Sequence, residues 1–552
     1  MGFLTIFTES TMARYVRAIR AAPPELIYNR HLIYTAAVFA MSGIPITWDQ
    51  GSSSVVPSLP GFQRMFGITS GANPQQITNF VSLVYVGCGI GAAVSYFVND
   101  RIGRLWSFRL YTFVWFVGQM IATGSNGSLA ALCTARIVSG LGIGALTVTG
   151  PISLVEIAPT ELRGLITVWF SVAMLMSLFV SVFCVYGVFI HVAASALQYQ
   201  IVFFSPCIYM MLICGLSFLC CESPRWLCLV GKDEEAAYQL TALRGLGLDH
   251  ARIQSELEEI HITVRKIRGE GGQGTKAPWA TFKATLEETF LVKANLRRVQ
   301  QAFISYALAQ LSGANSVTSY FVPILKLMGE SGDQTHSLFL TGMYSMAKFF
   351  FTLIASFFFI DALGRRRSLF IGITIQMISD LYIGVYIRYR QLGAVSDSAS
   401  EAAVALIFLH GFGYSVGLLV LPYVFGAEIW PNHIRSFGSA LSQTWHWLFY
   451  FGVSRGMPSL LAHTHNWGAF IFFAAWCFVS LLYVFLVVPE TAGQSLEAMN
   501  QLFEAPWYMA FRSSQKSQHR IQVIEGESRD VRSDESVTTS TKGEAEARLQ
   551  EV

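Results

Sequence analysis

Twelve long apolar runs constrain this chain more than any other feature of its sequence. They lie at about 32–51, 77–98, 106–124, 129–152, 165–190, 201–221, 299–326, 337–360, 368–388, 403–427, 436–460 and 467–488. Runs of roughly 18–25 residues match helices that cross a hydrocarbon core of ~30 Å. None of them alternates with period 2, which argues against a transmembrane barrel. The sequence therefore predicts an all-α membrane protein with twelve transmembrane helices, numbered here span one to span twelve.

Charged residues are too scarce to cover a soluble surface. Asp, Glu, Lys and Arg make up 13% of the chain and apolar residues 53%, whereas about a quarter of a soluble domain is charged. A net charge of +3 argues against nucleic acid as a partner. The nine cysteines lack zinc-binding spacing, and the sequence contains no nucleophile–base group or nucleotide-binding loop. We therefore expect neither an enzyme nor a bound metal or cofactor.

The twelve runs form two groups of six. We assign residues 1–31 to an N-terminal segment, 32–221 to an N-terminal six-helix half, 222–298 to a charged central helical segment, 299–488 to a C-terminal six-helix half and 489–552 to a largely disordered tail. Lys and Arg concentrate in the loops on the side of the central segment and both termini, which the positive-inside rule places in the cytoplasm. We expect a multi-pass protein of the plasma membrane.

The two halves share an internal sequence repeat. The pattern E-I-x-P-x-x-x-R occurs at 156–163 and again at 428–435, and the charged turn at 100–104 is echoed at 361–366. Both pairs are separated by similar distances along the chain, which indicates a duplication. Two six-helix halves around a central site suit transport by alternating access, in which one half rocks against the other.

The repeats also place charged residues at the predicted cytoplasmic helix ends. Glu and Arg there can pair across the halves and close an inner gate, or they can fix loop geometry and membrane topology within each half. As a set we favour the gate. Its candidate residues are Arg101, Arg104, Glu156, Arg163, Arg365, Arg366, Glu428 and Arg435.

A set of motifs is spread along the chain: Asp-Arg-x-Gly-Arg at 100–104, Arg136 with Gly140, Gly142 and Gly144, the segment 156–164, Glu-Ser-Pro-Arg-Trp-Leu at 222–227, Gln-Leu-Ser-Gly-Ala-Asn at 310–315 and Pro-Glu-Thr at 489–491. Through these motifs the chain, from about Pro24 to Met499, resembles the sugar-porter branch of the major facilitator superfamily. The segments 24–29 and 58–63, with Lys348, are most similar to fungal quinate, pentose and hexose permeases.

Asp49 and Arg136 are ionisable residues within spans one and four. Such groups at lipid depth are costly and mark functional sites. Burial opposes ionisation of an Asp, whereas a neighbouring guanidinium favours it, so a change in solvent access can move a proton on or off. The resemblance implies that these two residues pair and that protonation of Asp49 permits substrate loading. The alternative is a static ion pair that orients two helices.

The resemblance also implies a substrate site near the membrane centre. Gln310 and Asn315 match positions that bind sugar hydroxyls, and Trp447 matches an aromatic residue of the pocket. Amides offer both donors and acceptors, and aromatic rings cover the C–H face of a sugar.

Several positions depart from the family pattern and argue against a standard hexose site. Ser171 and Ala309 replace glutamines, Tyr423 replaces a Trp, and His446 replaces an amide. His446 can bind a carboxylate when charged or hydroxyls when neutral, or it can be a helix–helix hydrogen-bonding residue. We predict a binding set of Gln310, Asn315, His446, Trp447, Tyr423 and Ser171.

Three further charges lie within the spans. Lys348 and Asp380 can form a pair, or Lys348 can extend towards the interface; we expect structural roles for both. Arg455 suits an interfacial anchor.

The resemblance implies a secondary active transporter, and we expect symport of a proton with a sugar, a polyol or a quinate-like compound. The partners expected are the solute, protons and the lipid bilayer, with a monomeric protein and no cofactor. A uniporter, an exporter of a secondary metabolite and a transporter-like nutrient sensor stay open.

Overall fold

A computed structural model of the protein describes residues 24–68, 74–159, 162–268, 278–329, 333–359, 365–419, 429–431 and 434–490, with the isolated positions 13, 16, 17, 20, 363, 503 and 504. Every regular element among these residues is a helix. A helix occurs at each of the twelve predicted positions. Nine of the described helices are long and apolar enough to cross a membrane, and the helices of spans three, seven and eleven occupy the other predicted positions.

The N-terminal half begins with a broken helix. Span one consists of Arg30–Ala40 and Ile44–Val55, joined by a 3-10 turn at Met41–Gly43. Pro45 lies in the first turn of the second segment, where its missing N–H costs no helical hydrogen bond. Spans two to six are Pro74–Ile102, Arg104–Thr123, Leu129–Ile157, Arg163–His191 and Leu197–Leu216, and shorter helical segments are Pro24–Ile27, Val56–Ser58, Pro60–Phe66 and Ser217–Leu219.

The C-terminal half contains a second broken span. Span seven consists of Lys293–Leu311, Ala314–Ser319 and Phe321–Met328. Spans eight and ten, Gln334–Ile354 and Asp397–Tyr414, continue into π-helical turns at Ala355–Phe359 and Ser415–Leu419. Spans nine, eleven and twelve are Arg365–Gln391, Arg435–His463 and Trp467–Leu486.

The halves are connected through a central segment in which the described residues form four helices: Pro224–Leu229, Asp233–Arg244, Ala251–Arg268 and Pro278–Leu291. Arg244 ties this segment to the N-terminal half, because its Nη1 donates to the carbonyl of Ile157 at 2.7 Å while Nη2 pairs with Glu256. Phe282 packs against Phe97 of span two and Phe437 of span eleven. The central helices therefore contact both halves at one end of the bundle.

Spans two and four approach each other through facing glycines. Gly87 and Gly91 of span two oppose Gly140 and Gly144 of span four, and each pair has the small-xxx-small spacing that permits close helix contact. A Cβ added to Gly144 would lie 1.9 Å from the carbonyl oxygen of Cys88. Hence these helices can keep their spacing only with glycine there.

We expect Gly144→Val to lower the free energy of unfolding by about 3 kcal/mol, because overpacking must separate two helix backbones. The measurement is the thermal unfolding midpoint and the monodisperse fraction in detergent. Gly187→Val on span five is the matched control, since a Cβ at Gly187 meets no atom within 4 Å. Equal midpoints for both variants would contradict this packing.

Candidate functional site

A cavity lies between the two halves. Spans one, two and five line it from one half, and spans seven, eight, ten and eleven line it from the other. Among the described residues, its wall combines aromatic rings with amides, hydroxyls and one ammonium. The lining residues are Ile46, Thr47, Gln50, Tyr85, Met174, Leu175, Asn315, Lys348, Tyr414, Leu419, His446, Trp447 and Tyr450.

The break in span seven positions the amide side chains. Gly313 has a φ of +81°, which suits glycine, and it ends one helix and begins the next. As a result Asn315 Nδ2 donates to Gln310 Oε1 at 3.0 Å and to the hydroxyl of Tyr414 at 3.1 Å. Asn315 lines the cavity, whereas Gln310 lies buried behind it.

Gln310 also holds His446 of span eleven. The distance from Gln310 Nε2 to His446 Nδ1 is 3.2 Å. Because an amide nitrogen only donates, Nδ1 of the imidazole accepts, and the ring proton then resides on Nε2. This contact supports a neutral ring that offers a donor to hydroxyls rather than an imidazolium that binds a carboxylate.

Aromatic residues and Gln50 join the halves across the cavity. Gln50 Nε2 of span one donates to the hydroxyl of Tyr450 at 2.7 Å and lies 3.5 Å from Asn315 Oδ1. Trp447 Nε1 donates to Thr147 Oγ1 at 3.3 Å, and its ring lies parallel to that of Tyr85. These contacts connect spans one, two and four with spans seven and eleven around the cavity.

Asp49 of span one and Arg136 of span four are in contact. Asp49 directly precedes Gln50, which lines the cavity. Both guanidinium Nη atoms contact the carboxylate: Nη1 is paired with Oδ1, and Nη2 lies 3.0 Å from Oδ2. Arg136 also donates to the carbonyl of Phe80 at 2.8 Å and to Ser53 Oγ at 2.9 Å. With exposed fractions of 4% and 2%, the two charges are buried and compensate each other.

Lys348 of span eight also reaches the cavity, where its side chain is 2% exposed. Its Nζ donates to Thr318 Oγ1 at 3.0 Å. Pairing with Asp380, one of the two predicted roles, is wrong: Asp380 lies 3.5 Å from His410 Nε2 instead. The other alternative, extension to the interface, is also wrong. The physical reason is the orientation of the two helices. Span nine packs against span ten, which places Asp380 beside His410, whereas span eight directs Lys348 into the cavity.

The other predicted binding residues differ in their positions. Span five reaches the cavity through Met174 and Leu175. Ser171, one turn away on the same helix, is half-buried and is not among the described lining residues. Tyr423 lies outside the described residues. Arg455, expected to anchor at the interface, pairs with Asn79 of span two and links the halves.

Sequence reasoning missed Gln50 and Tyr450 as residues that line the cavity. Each carried a usable signal. Gln50 is a polar residue next to Asp49 within an apolar run, and Tyr450 follows Trp447 by three positions, which places both on one helix face.

The charged residues at the predicted cytoplasmic ends form contacts within each half. Arg104 Nε and Nη2 lie 2.8 Å from the two carboxylate oxygens of Glu156, and Nη1 lies 2.9 Å from Asp100. These ion pairs stay within the N-terminal half, which is the arrangement expected if the charges fix loop geometry. Glu428 lies outside the described residues. Arg101 and Arg163 are exposed, and Arg435 begins span eleven.

The repeat is visible in how two carboxylates cap equivalent spans. Glu222 accepts from the backbone N–H groups of Arg104 and Leu105 at 3.1 and 3.0 Å, at the start of span three. Glu490 accepts in the same way from Arg365 and Arg366, at 2.9 and 3.1 Å, at the start of span nine. Burial raises the pKa of the Glu222 carboxyl, while the donated N–H groups oppose that rise.

Comparison with known proteins adds three findings. Residues 35–503 match the protein family described as sugar (and other) transporter. The chain is 29% identical to a quinate permease of Emericella nidulans over 488 residues, which cover 87% of this chain and 90% of that protein. It is 30% identical to a probable quinate permease of Aspergillus flavus over 494 residues, with the same coverage.

Solved structures of the xylose transporter XylE have the same fold. The proton:xylose symporter XylE bound to 6-bromo-6-deoxy-D-glucose superimposes with a TM-score of 0.71 at 22% identity, covering 86% of this chain and 100% of that one. The inward-open XylE from E. coli gives 0.66 at 19% identity, covering 85% and 99%. The likeness extends over both six-helix halves.

Proposed function

The chain belongs to the sugar (and other) transporter family, and from that premise we propose that it is a proton-coupled symporter of a sugar, a polyol or a quinate-like compound. Membership confirms the predicted sugar-porter resemblance, the all-α fold with twelve transmembrane helices and the assignment as a multi-pass membrane transporter rather than an enzyme. The observation that carries the proposal is the buried Asp49–Arg136 pair beside a cavity between the halves.

The transport cycle is proposed to break and remake the contacts between halves. Near the cavity these are the bonds of Gln50 with Tyr450 and of Trp447 with Thr147. At the end of the bundle that lies opposite the central helices, Gln334 Nε2 donates to the carbonyl of Ser58 at 2.5 Å. Each is a polar contact that water can replace at modest free-energy cost, which suits a pair of bodies that rock about a central site.

Coupling follows from the chemistry of the buried pair. Protonation of Asp49 removes its charge and weakens the bidentate bond to Arg136, which leaves the guanidinium to Ser53 and the carbonyl of Phe80. Span one can then shift. Because Gln50 adjoins Asp49 and contacts both Tyr450 and Asn315, that shift changes the substrate cavity. Proton binding and solute binding are thereby linked.

The solute is proposed to lie against Trp447 and Tyr85, with its hydroxyls bonded to side chains of both halves. Gln50, Thr47, Asn315, Tyr450 and the Nε2–H of His446 supply donors and acceptors there. Tyr423 stays a candidate from the family pattern. The similar permeases are named for quinate, a ring with several hydroxyl groups and one carboxylate. The polar and aromatic wall suits such a hydroxylated ring.

The remaining assignments are also proposals. The protein acts as a monomer in the plasma membrane with both termini in the cytoplasm, and the proton gradient drives it without a cofactor. The pair of Arg104 with Glu156 stiffens the cytoplasmic end of the N-terminal half. Glu428 and Arg435 are the residues that the C-terminal half contributes to the inner gate.

Purified protein in proteoliposomes with an alkaline interior tests the symport proposal. Labelled quinate, D-xylose and a sugar alcohol are supplied outside. We expect at least one to accumulate above its external concentration and to leak out when a protonophore is added. Equilibration without accumulation, unaffected by the protonophore, would favour the uniporter instead. In a second experiment the labelled solutes are loaded inside, and movement only out of the vesicles would favour the exporter.

His446→Ala is expected to raise the substrate Kd about tenfold, because it removes a ligand donor and leaves Gln310 Nε2 without its acceptor. The measurement is equilibrium binding of the transported solute to purified protein. His463→Ala is the matched control, since His463 is exposed at the end of the same helix. Unchanged affinity and selectivity in His446→Ala would remove the residue from the binding set.

A further inference from the structure

Lys348 is a buried cation in the wall of the central cavity. Its side chain is 2% exposed, and its Nζ donates to Thr318 Oγ1 at 3.0 Å. The rings of Tyr344 and Tyr414 lie 5.8 and 5.4 Å from Nζ. An ammonium has three donors. Among the described residues Lys348 has one hydrogen bond, to Thr318, which leaves two donors for a ligand.

The charge of Lys348 lacks compensation within the described part of the chain. There, no carboxylate oxygen lies within 4.0 Å of Nζ. Asp49 is held by Arg136 through both of its oxygens, and Asp380 lies beside His410. A buried ammonium without an anion is strongly unfavourable, and an anionic ligand in the same cavity would supply the missing charge.

We propose that the transported solute is a polyhydroxylated monocarboxylate and that Lys348 binds its carboxylate. This inference rests on the proposed transport function, and among the sugars, polyols and quinate-like compounds proposed there it selects the acids. His446 does not compete for this role, since its Nδ1 accepts from Gln310. Of the lining residues that the structure describes, Lys348 is therefore the cation available to an acid.

The rest of the wall supports an acid with hydroxyl groups rather than a simple fatty or aromatic acid. Gln50, Asn315 and Tyr450 line the cavity together with Lys348. Amide and phenol groups bond hydroxyls in either direction. Lys348 would thus bind the carboxylate, and the amide and phenol groups would bind the hydroxyls. Trp447 would cover the apolar face of the ring.

The test compares acids with neutral partners of nearly the same shape. Binding to purified full-length protein in detergent is measured by calorimetry for quinate against its carboxamide and for D-glucuronate against D-glucose. We expect at least one acid to bind about tenfold or more tightly than its neutral partner. No gradient is present, so a failure of proton coupling does not affect the result.

Variants at Lys348 test whether this residue binds the carboxylate of the solute. Lys348→Met is expected to weaken binding of the acid about tenfold or more and to change that of its neutral partner less than about twofold. Lys348→Arg should keep the preference for the acid. Lys326→Met, at an exposed position on span seven, is the matched control.

Three outcomes would overturn the proposal. They are equal affinity for acid and neutral partner, a preference for the acid that survives in Lys348→Met, and absence of binding by every acid in the panel. If no acid binds and a neutral sugar accumulates in a protonophore-sensitive way, the acid proposal is contradicted and the symport proposal is supported. Unfolding midpoints of all variants verify that the comparison is made on folded protein.

Discussion

Proteoliposomes that contain Asp49→Asn are expected to equilibrate the solute without accumulating it. One coupled proton and a gradient of one pH unit can support about tenfold accumulation, because a pH unit is worth about 1.4 kcal/mol. Asn retains the size of Asp and can still bond to Arg136, but it cannot bind and release the proton. The accumulation ratio should therefore fall from about tenfold to about one.

Exchange of labelled for unlabelled solute separates coupling from folding in this variant. Asp49→Asn should keep exchange, since the cavity and its lining residues stay in place. Asp333→Asn, at an exposed position before span eight, is the matched control and should accumulate the solute normally. Full accumulation by Asp49→Asn would show that the pair with Arg136 is a static orienting contact.

The second large effect is expected from Arg136→Ala. This change leaves the Asp49 carboxylate buried, with Ser53 as its remaining hydrogen-bond donor. Breaking a buried ion pair by removing one partner costs about 3–5 kcal/mol. We expect a correspondingly lower free energy of unfolding, seen as an earlier thermal transition and less monodisperse protein in detergent.

A double variant distinguishes the buried charge from lost packing. Asp49→Asn combined with Arg136→Gln removes both charges and should recover much of the stability lost in Arg136→Ala, as a coupled pair requires. Arg64→Ala, at an exposed position before span two, should leave the transition unchanged. Equal instability of the double variant and Arg136→Ala would show that the charge of Asp49 is not the cause.

The positions of the spans could be predicted from sequence because lipid imposes both length and apolarity on each helix. The meeting of Asp49 with Arg136 was also predicted, on the strength of the family resemblance together with the cost of isolated charges at lipid depth. The span positions depend on local composition, and the contact of Asp49 with Arg136 follows once the family's helix arrangement is assumed.

The facing of each helix could not be predicted in the same way. In a membrane bundle the lipid side and the packed side are both apolar, so hydrophobic periodicity gives no reliable rotation. Lys348 and Asp380 therefore looked like a possible pair, although one faces the cavity and the other faces His410.

Tertiary hydrogen bonds explain the remaining differences. Gln310 was predicted to touch the solute, but the turn at Gly313 places it behind Asn315 and His446. Arg104 was predicted to close a gate between halves, yet Asp100 and Glu156 of its own half hold it. Sequence identifies the polar residues of such a site, whereas their order around the cavity depends on backbone breaks and on contacts distant in sequence.

The most direct test of proton coupling follows the pH inside proteoliposomes that start without any gradient. Wild-type protein and Asp49→Asn are reconstituted with a trapped pH-sensitive dye, and the solute is added outside. If solute and proton enter together, the interior acidifies with the wild type and stays unchanged with Asp49→Asn or with protein-free vesicles. Entry of labelled solute through the wild-type protein at constant internal pH would contradict the account.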